Sequence, residues 1–276
     1  METLTPPQKE RALDRLLGEM GSVVVAFSGG VDSAYLAVRA HRVLKARALA
    51  VTADSPSLAE AQRAQARDLA RDFAFPHRLV RTEEFENPLY TRNAPDRCYH
   101  CKAELFRHLL PLAAREGYAH VAYGLIVDDL AEFRPGHRAA AESGVRSPLA
   151  EAGLGKADVR LLSRAMGLPT WDRPASPCLS SRVPFGTAVT PEVLRRVERA
   201  EEGLRALGFS ELRVRHFGER ARVEIAPLEM ARLEEKGMRR AVETAVHAAG
   251  YAEVSIDPRG YQRGRLNPGA DVVTPP

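Results

Sequence analysis

The run Ser22-Val-Val-Val-Ala-Phe27, followed at once by Ser28-Gly29-Gly30-Val31-Asp32-Ser33, constrains this chain more than any other feature. An uninterrupted apolar run of this length suits a central parallel strand buried on both faces. Two glycines then allow a tight turn and a close backbone approach to an oxyanion. A helix is predicted over 31–45, so its free N–H groups and positive dipole end face the same spot. Ser28 and Ser33 add hydroxyl donors, and Asp32 suits a Mg²⁺ ion carried with phosphates. The plainer reading is a Gly-Gly turn with a capping Asp or Ser. It explains the glycines and one cap, but not the whole hexapeptide behind a buried strand.

The pattern then repeats. An amphipathic helix over 7–20 precedes the first strand, and strands over 47–52, 77–81 and 119–123 alternate with helices over 58–73 and 99–116. Such alternation predicts an α/β fold with a doubly wound parallel sheet. Ligands bind these sheets beyond the C-terminal strand ends. Ala53-Asp54-Ser55 follows the second strand, and Gly124 with Asp128 and Asp129 follows the fourth. Each is weak alone, because Gly and Asp are ordinary turn residues.

A Pro-, Ser- and Gly-rich stretch over 167–187 breaks the rhythm. We therefore expect a first domain over 1–168, an ordered loop over 169–187, a smaller α+β domain over 188–268 and a disordered tail over 269–276. The second domain should hold a helix over 190–207, a hairpin 212–217/220–225 turning at Gly218-Glu219, a helix over 228–249 and a strand over 252–257.

Composition narrows the class. Forty basic residues against 36 acidic ones give a net charge of +4. That excess is too small and too evenly spread to predict a nucleic-acid partner. No apolar run spans a membrane and no secretory pattern opens the chain, so a cytoplasmic protein is expected. Three cysteines, an odd number, do not suggest a disulfide framework.

Those cysteines are Cys98 and Cys101, in Cys98-Tyr-His-Cys101, and Cys178, in a Pro/Ser loop. A thioredoxin-like pair needs a βαβ start that the glycine loop already occupies. Structural zinc usually takes four protein ligands. Inert buried cysteines leave the tight pair unexplained. Three thiolates can hold three irons of a [4Fe–4S] cluster and leave the fourth open, which is the reading favoured by ligand count.

In the hairpin, Gly218-Glu219 as the loop pairs Phe217 with Arg220, Arg215 with Arg222 and Arg213 with Glu224. Arg215 facing Arg222 costs stability unless an anion lies near. An anionic ligand is one answer; a solvated ribbon with splayed arginines is the other.

Ser-Gly-Gly-Val-Asp-Ser resembles the pyrophosphatase loop of the PP-loop, or adenine-nucleotide α-hydrolase-like, superfamily. Joined to Arg97-Cys-Tyr-His-Cys-Lys102, Phe133-Arg-Pro-Gly136, Ala175-Ser-Pro-Cys-Leu-Ser-Ser-Arg182, Pro184-Phe-Gly-Thr187 and Arg213-Val-Arg215, it makes nearly the whole chain similar to the LarE family. These are ATP-dependent sulfur transferases that build a nickel-pincer nucleotide cofactor. The resemblance implies adenylation of a carboxylate of pyridinium-3,5-biscarboxylic acid mononucleotide and its conversion to a thiocarboxylate. It implies ATP contacts at Phe27, Ser28, Gly29, Gly30, Val31, Asp32, Ser33, Ala53, Asp54 and Gly124, with Mg²⁺ at Asp32. It also implies substrate contacts at Arg134, Ser181, Arg182, Arg213 and Arg215, a sulfide donor and a homo-oligomer. Some members sacrifice a cysteine in Ser-Cys-x-x-Ser-Ser-Arg. Here Pro177 takes that place and the cysteine comes one step later, which resembles instead the branch with three cysteines and a [4Fe–4S] cluster on Cys98, Cys101 and Cys178.

Overall fold

The computed structural model describes residues 4–130, 135–174 and 176–262. Among these, 4–84 with 98–174 and Ser176 form one compact unit, and 85–97 with 177–262 form a second.

The first unit is built on four strands: β1 (Val23–Ala26), β2 (Ala48–Asp54), β3 (His77–Arg81) and β4 (His120–Tyr123). All neighbours are parallel in the order β3-β2-β1-β4, with Val23 level with Ala48 on one side and His120 on the other. The pleat sends alternate residues of β1 to opposite faces. Val23 and Val25 join Leu13, Leu17, Tyr35 and Leu36 in one core cluster, while Val24 and Ala26 join Phe106, Leu109 and Val121 in another. Both faces of β1 are therefore covered, which is why its sequence is apolar throughout. The helices Pro6–Met20, Val31–Leu44, Glu60–Asp72 and Lys156–Ala165 contribute to the first cluster, and Arg97–Glu116 and Pro135–Glu142 to the second. This is the doubly wound α/β sheet expected from the alternation.

The order in which strands are added reverses at β1: the sheet grows outward through β2 and β3, and β4 then returns to the other side of β1. The crevice beyond β1 and β4 is thus the topological switch point, where such sheets take ligands. Among the described residues, no helix is long and apolar enough to cross a membrane.

The second unit holds β5 (Leu212–Phe217), β6 (Arg220–Ile225) and β7 (Glu253–Ile256), ordered β5-β6-β7. The β5–β6 hairpin is antiparallel in the register read from the sequence, with Arg215 opposite Arg222 and Arg213 opposite Glu224. Gly218 turns it with a positive φ of 66°. The helices Pro191–Ala206 and Met238–Ala248 bring Ala200, Leu204, Val242 and Val246 into one cluster with Val214, Val223 and Ile225. The single helix expected over 228–249 is divided. A 3₁₀ segment, Pro227–Glu234, precedes Gly237, whose φ of 82° breaks the helical path before Met238. The expected tail, 269–276, lies outside the described residues.

Candidate active site

The loop after β1 is held by its own serines. Ser33 Oγ accepts from Ser28 N at 3.2 Å, lies 3.1 Å from Ser28 Oγ and donates to the Gly30 carbonyl at 3.2 Å. Gly30 precedes the helix Val31–Leu44 without a side-chain cap, so the first amides of that helix face the crevice unscreened by one. Gly29 has a positive φ of 74°, and a Cβ there would lie 3.6 Å from Ala66. Gln65 Nε2 donates to the Gly29 carbonyl at 2.8 Å, fixing the loop from the helix Glu60–Asp72. From the far side of the crevice, Gly124 packs against the same loop. A Cβ on it would meet Ser33 N at 2.9 Å and the Asp32 carbonyl carbon at 3.0 Å. Ser28, Gly29, Gly30, Val31, Asp32, Ser33 and Gly124 therefore share the switch point.

Asp32 occupies the first turn of its helix. Burial, and then the neighbouring Asp129, push its pKa up to about 6, while Arg160 and Lys156 act in the opposite direction. Two carboxylates at odds within a half-buried site form a donor set that a hard divalent cation relieves, so these residues fit a Mg²⁺ ion. The two aspartates after β4 have different roles. Asp128 Oδ2 accepts from Lys156 N at 2.8 Å and so caps the helix Lys156–Ala165, whereas Asp129 acts on Asp32. Sequence reading did not find Lys156 and Arg160. Their i,i+4 spacing on one helix was the available signal. Arg160 also donates to the carbonyls of Trp171 at 3.0 Å and Arg173 at 2.7 Å.

Other expected nucleotide residues are placed less openly. The Phe27 side chain is buried, edge-on to Phe75 and His77 with centroids 5.5 Å apart in each case, so only its backbone can face a ligand. Asp54 is paired with Arg63 at 2.8 Å, beside half-buried Ala53 at the end of β2.

Cys98 and Cys101 occupy the first turn of the helix Arg97–Glu116 at i,i+3 spacing, which puts them on one side of it. Cys98 is exposed and Cys101 half-buried. Gly136 lets the helix Pro135–Glu142 approach this turn: a Cβ there would lie 3.4 Å from the Cys98 carbonyl oxygen and 3.0 Å from Lys102 Cγ. Arg134 lies outside the described residues. A separate trio in the same unit, Glu83, Glu104 and His108, gathers its ligand atoms within 4.8 Å. Arg107 already pairs with Glu104 at 2.8 Å and with Glu83 at 3.2 Å there.

In the second unit, half-buried Cys178 precedes the short 3₁₀ turn Leu179–Arg182. Arg182 is buried and donates to both oxygens of Glu201, at 2.8 and 3.0 Å, and to the Cys178 carbonyl at 2.9 Å. Burial opposes the charge on Glu201, but the Arg182 guanidinium outweighs it and holds the carboxyl below its ordinary range. Arg215 Nη1 donates to the Ser181 carbonyl at 3.0 Å. Arg213 stacks 4.7 Å from the Tyr261 ring centroid; burial, and then repulsion from Arg182, bring its pKa down. Ser181, Arg182, Arg213 and Arg215 are thus gathered in one region of the second unit. The anion beside Arg215 and Arg222, however, is supplied by the chain. Glu224 pairs with them at 2.9 and 3.2 Å. The like-charge pair therefore does not by itself require a bound anion.

No family model matches the chain. It is 44% identical to an uncharacterised protein of Synechocystis over 92% of its length and 95% of that protein's. It is 34% identical to pyridinium-3,5-bisthiocarboxylic acid mononucleotide synthase of Lactiplantibacillus plantarum, over 94% of both chains. The chain belongs to the LarE family. A more distant likeness, 28% over 66% of this LarE-family chain and 63% of the relative, is to one subunit of the glutamine-hydrolysing GMP synthase of Archaeoglobus fulgidus. That distant likeness is in keeping with a PP-loop fold and with the loop at the switch point.

Proposed function

We propose that this chain is an ATP-dependent sulfurtransferase that adenylates a carboxylate of pyridinium-3,5-biscarboxylic acid mononucleotide and converts it to a thiocarboxylate, for a nickel-pincer nucleotide cofactor. The full-length similarity to the pyridinium-3,5-bisthiocarboxylic acid mononucleotide synthase carries this reading. The Ser28–Ser33 loop at the switch point supports its nucleotide half.

A carboxylate is a poor electrophile because oxide is a poor leaving group. Attack by a carboxylate oxygen on the α-phosphorus of ATP forms the acyl adenylate and expels pyrophosphate. Sulfur then adds to the acyl carbon, and AMP departs with the electron pair of the broken C–O bond. In this scheme the Ser28 and Ser33 hydroxyls and the first amides of the helix Val31–Leu44 bind phosphate oxygens. Lys156 and Arg160 balance the charge of the polyphosphate and of Asp32. Mg²⁺, held by Asp32 with Asp129, would neutralise the departing pyrophosphate. Ser181, Arg182, Arg213 and Arg215 bind the substrate's anionic groups.

Cys98, Cys101 and Cys178 would hold a [4Fe–4S] cluster, whose open iron would supply a site for sulfide from an external donor. The chemistry of this donor set fits, since it offers three thiolates, two of them on one helical turn with one exposed and one half-buried. The test begins with anaerobic purification and counting of iron and sulfide. Pyrophosphate and thiocarboxylate are then followed in the wild type and in Cys98→Ala, Cys101→Ala and Cys178→Ala. Each variant should lose the cluster and repeated sulfur transfer yet still release pyrophosphate. A sacrificial cysteine would instead leave Cys98→Ala active and the spent chain lighter by one H₂S, which would overturn the cluster reading.

A further inference from the structure

Asn93, outside the nucleotide loop, joins a left-handed backbone to a dense set of hydrogen bonds. It is fully buried, and its φ of 57° lies in the left-handed region that Asn enters more readily than most side chains. Its Nδ2 donates to the carbonyls of Pro184 at 2.8 Å and Thr187 at 2.9 Å, with Val183 as a longer third acceptor at 3.3 Å. Its own carbonyl accepts from Gly186 N at 3.1 Å. Its Oδ1 accepts from Arg97 Nη1, and the same nitrogen donates to the Ser180 carbonyl at 2.9 Å.

Neighbouring residues extend the clamp. The Tyr90 hydroxyl lies 2.8 Å from Ser180 Oγ, Val189 N donates to the Thr91 carbonyl at 2.8 Å, and Arg97 sits 5.8 Å from the Phe185 ring centroid. Apart from the turn Leu179–Arg182, the loop over 177–189 has no regular secondary structure to satisfy its backbone. Buried carbonyls need donors, and here residues from 85–97 supply them. The held atoms, Ser180 O through Thr187 O, immediately follow Cys178 and flank Ser181 and Arg182.

We infer that Asn93 and Arg97 are positioning residues: they set the loop bearing Cys178, Ser181 and Arg182 in the form that binds the anionic substrate. This rests on the proposed function. The chemistry of the side chains accounts for the choice. A primary amide offers donors and an acceptor on one short stem, and guanidinium can share one nitrogen between an amide oxygen and a carbonyl. A carboxylate at 93 would face three carbonyl oxygens with no donor. A lysine at 97 keeps the charge but loses the planar fork.

The test uses the full chain with Asn93→Asp and, separately, Arg97→Lys, which keeps charge and bulk should the first variant fold poorly. Hydrogen exchange is followed over 178–189, with the helix Val31–Leu44 as an internal reference. Pyrophosphate release is titrated separately with pyridinium-3,5-biscarboxylic acid mononucleotide and with ATP. The expected result is exchange about tenfold faster in the loop alone, a KM for the mononucleotide raised about tenfold or more, and a KM for ATP changed less than about twofold. Unchanged loop exchange in both variants would overturn the inference. So would a fall in kcat with both KM values unmoved, because that is the mark of a merely structural role. Absence of pyrophosphate release with this substrate by the wild type would instead count against the proposed function, and the exchange comparison would still decide whether the clamp holds the loop.

Discussion

Arg215 stands opposite Arg222 across the β5–β6 hairpin, and both guanidiniums reach Glu224, one on each carboxylate oxygen. Asp257 lies 3.8 Å from Arg222 on its other side. Glu224 is fully buried. Its replacement leaves two largely buried cations short of an anion, so Glu224→Gln should destabilise the chain by about 3–5 kcal/mol. Urea unfolding of the purified variant measures this. A loss below about 1 kcal/mol would mean that water already screens the pair.

Asp32 gives a signed pH prediction. Its pKa in the folded chain, about 6 against an ordinary 3.8, makes ionisation unfavourable in the ligand-free protein. The folded state therefore binds more protons than the unfolded state between those values, and this group's contribution to stability falls as pH rises through them. Asp32→Asn should raise Tm relative to wild type at pH 8, and the gain should vanish below about pH 4. Pyrophosphate release at subsaturating Mg²⁺ and ATP, which reports the free enzyme and needs the ionised carboxylate, should rise through about pH 6 in the wild type and be absent in Asp32→Asn. A variant that releases pyrophosphate at the wild-type rate would remove Asp32 from the mechanism.

Gly124→Ala tests the crevice sterically. The new Cβ would fall 2.9 Å from Ser33 N, and backbone cannot swing aside as a flexible side chain can. Overpacking of this kind costs about 1–3 kcal/mol. Because the strain falls on the phosphate loop, the KM for ATP should rise about tenfold or more. Calorimetry with ATP and a thermal melt separate the two effects. Unchanged ATP affinity would show that the loop can yield without consequence.

Lys156 and Arg160 lower the pKa that Asp32 would otherwise have. Lys156→Ala should therefore move the pH midpoint of pyrophosphate release above 6, in addition to weakening ATP binding. Because Lys156 is exposed, its removal should change Tm little. A pH profile that does not move would place Lys156 away from the carboxylate in the working enzyme.

Much of this arrangement was legible in the sequence because periodicity and glycine spacing are local signals. The strand Val23–Ala26, the loop Ser28–Ser33 and the hairpin register all follow from residues within a few positions of one another. The members of the site that went unseen come from distant positions. Lys156 and Arg160 lie on a helix whose relation to Asp32 depends on the return of β4 to the other side of β1. The hairpin register sets Glu224 opposite Arg213, and nothing in alternation alone says that its carboxylate bridges Arg215 and Arg222. Neither the φ of Asn93 nor its carbonyl partners ninety positions on leave a mark in the nearby sequence. The helix break at Gly237 was within reach, but an apolar pattern continuing past it masked the glycine.

The insertion of 85–97 into the second unit also sets an order of events at the ribosome. The segment leaves the exit tunnel with its first neighbours, long before Ser180, Val183, Pro184 and Thr187 have been made. Until then the Asn93 amide and the Tyr90 ring have nothing to close on. The parallel sheet can begin to assemble around β1 to β4 while this stretch waits, exposed, as a loop within it. A nascent chain stalled before residue 177 should therefore be cut by protease within 85–97, and that vulnerability should disappear once the residues through Val189 have been released.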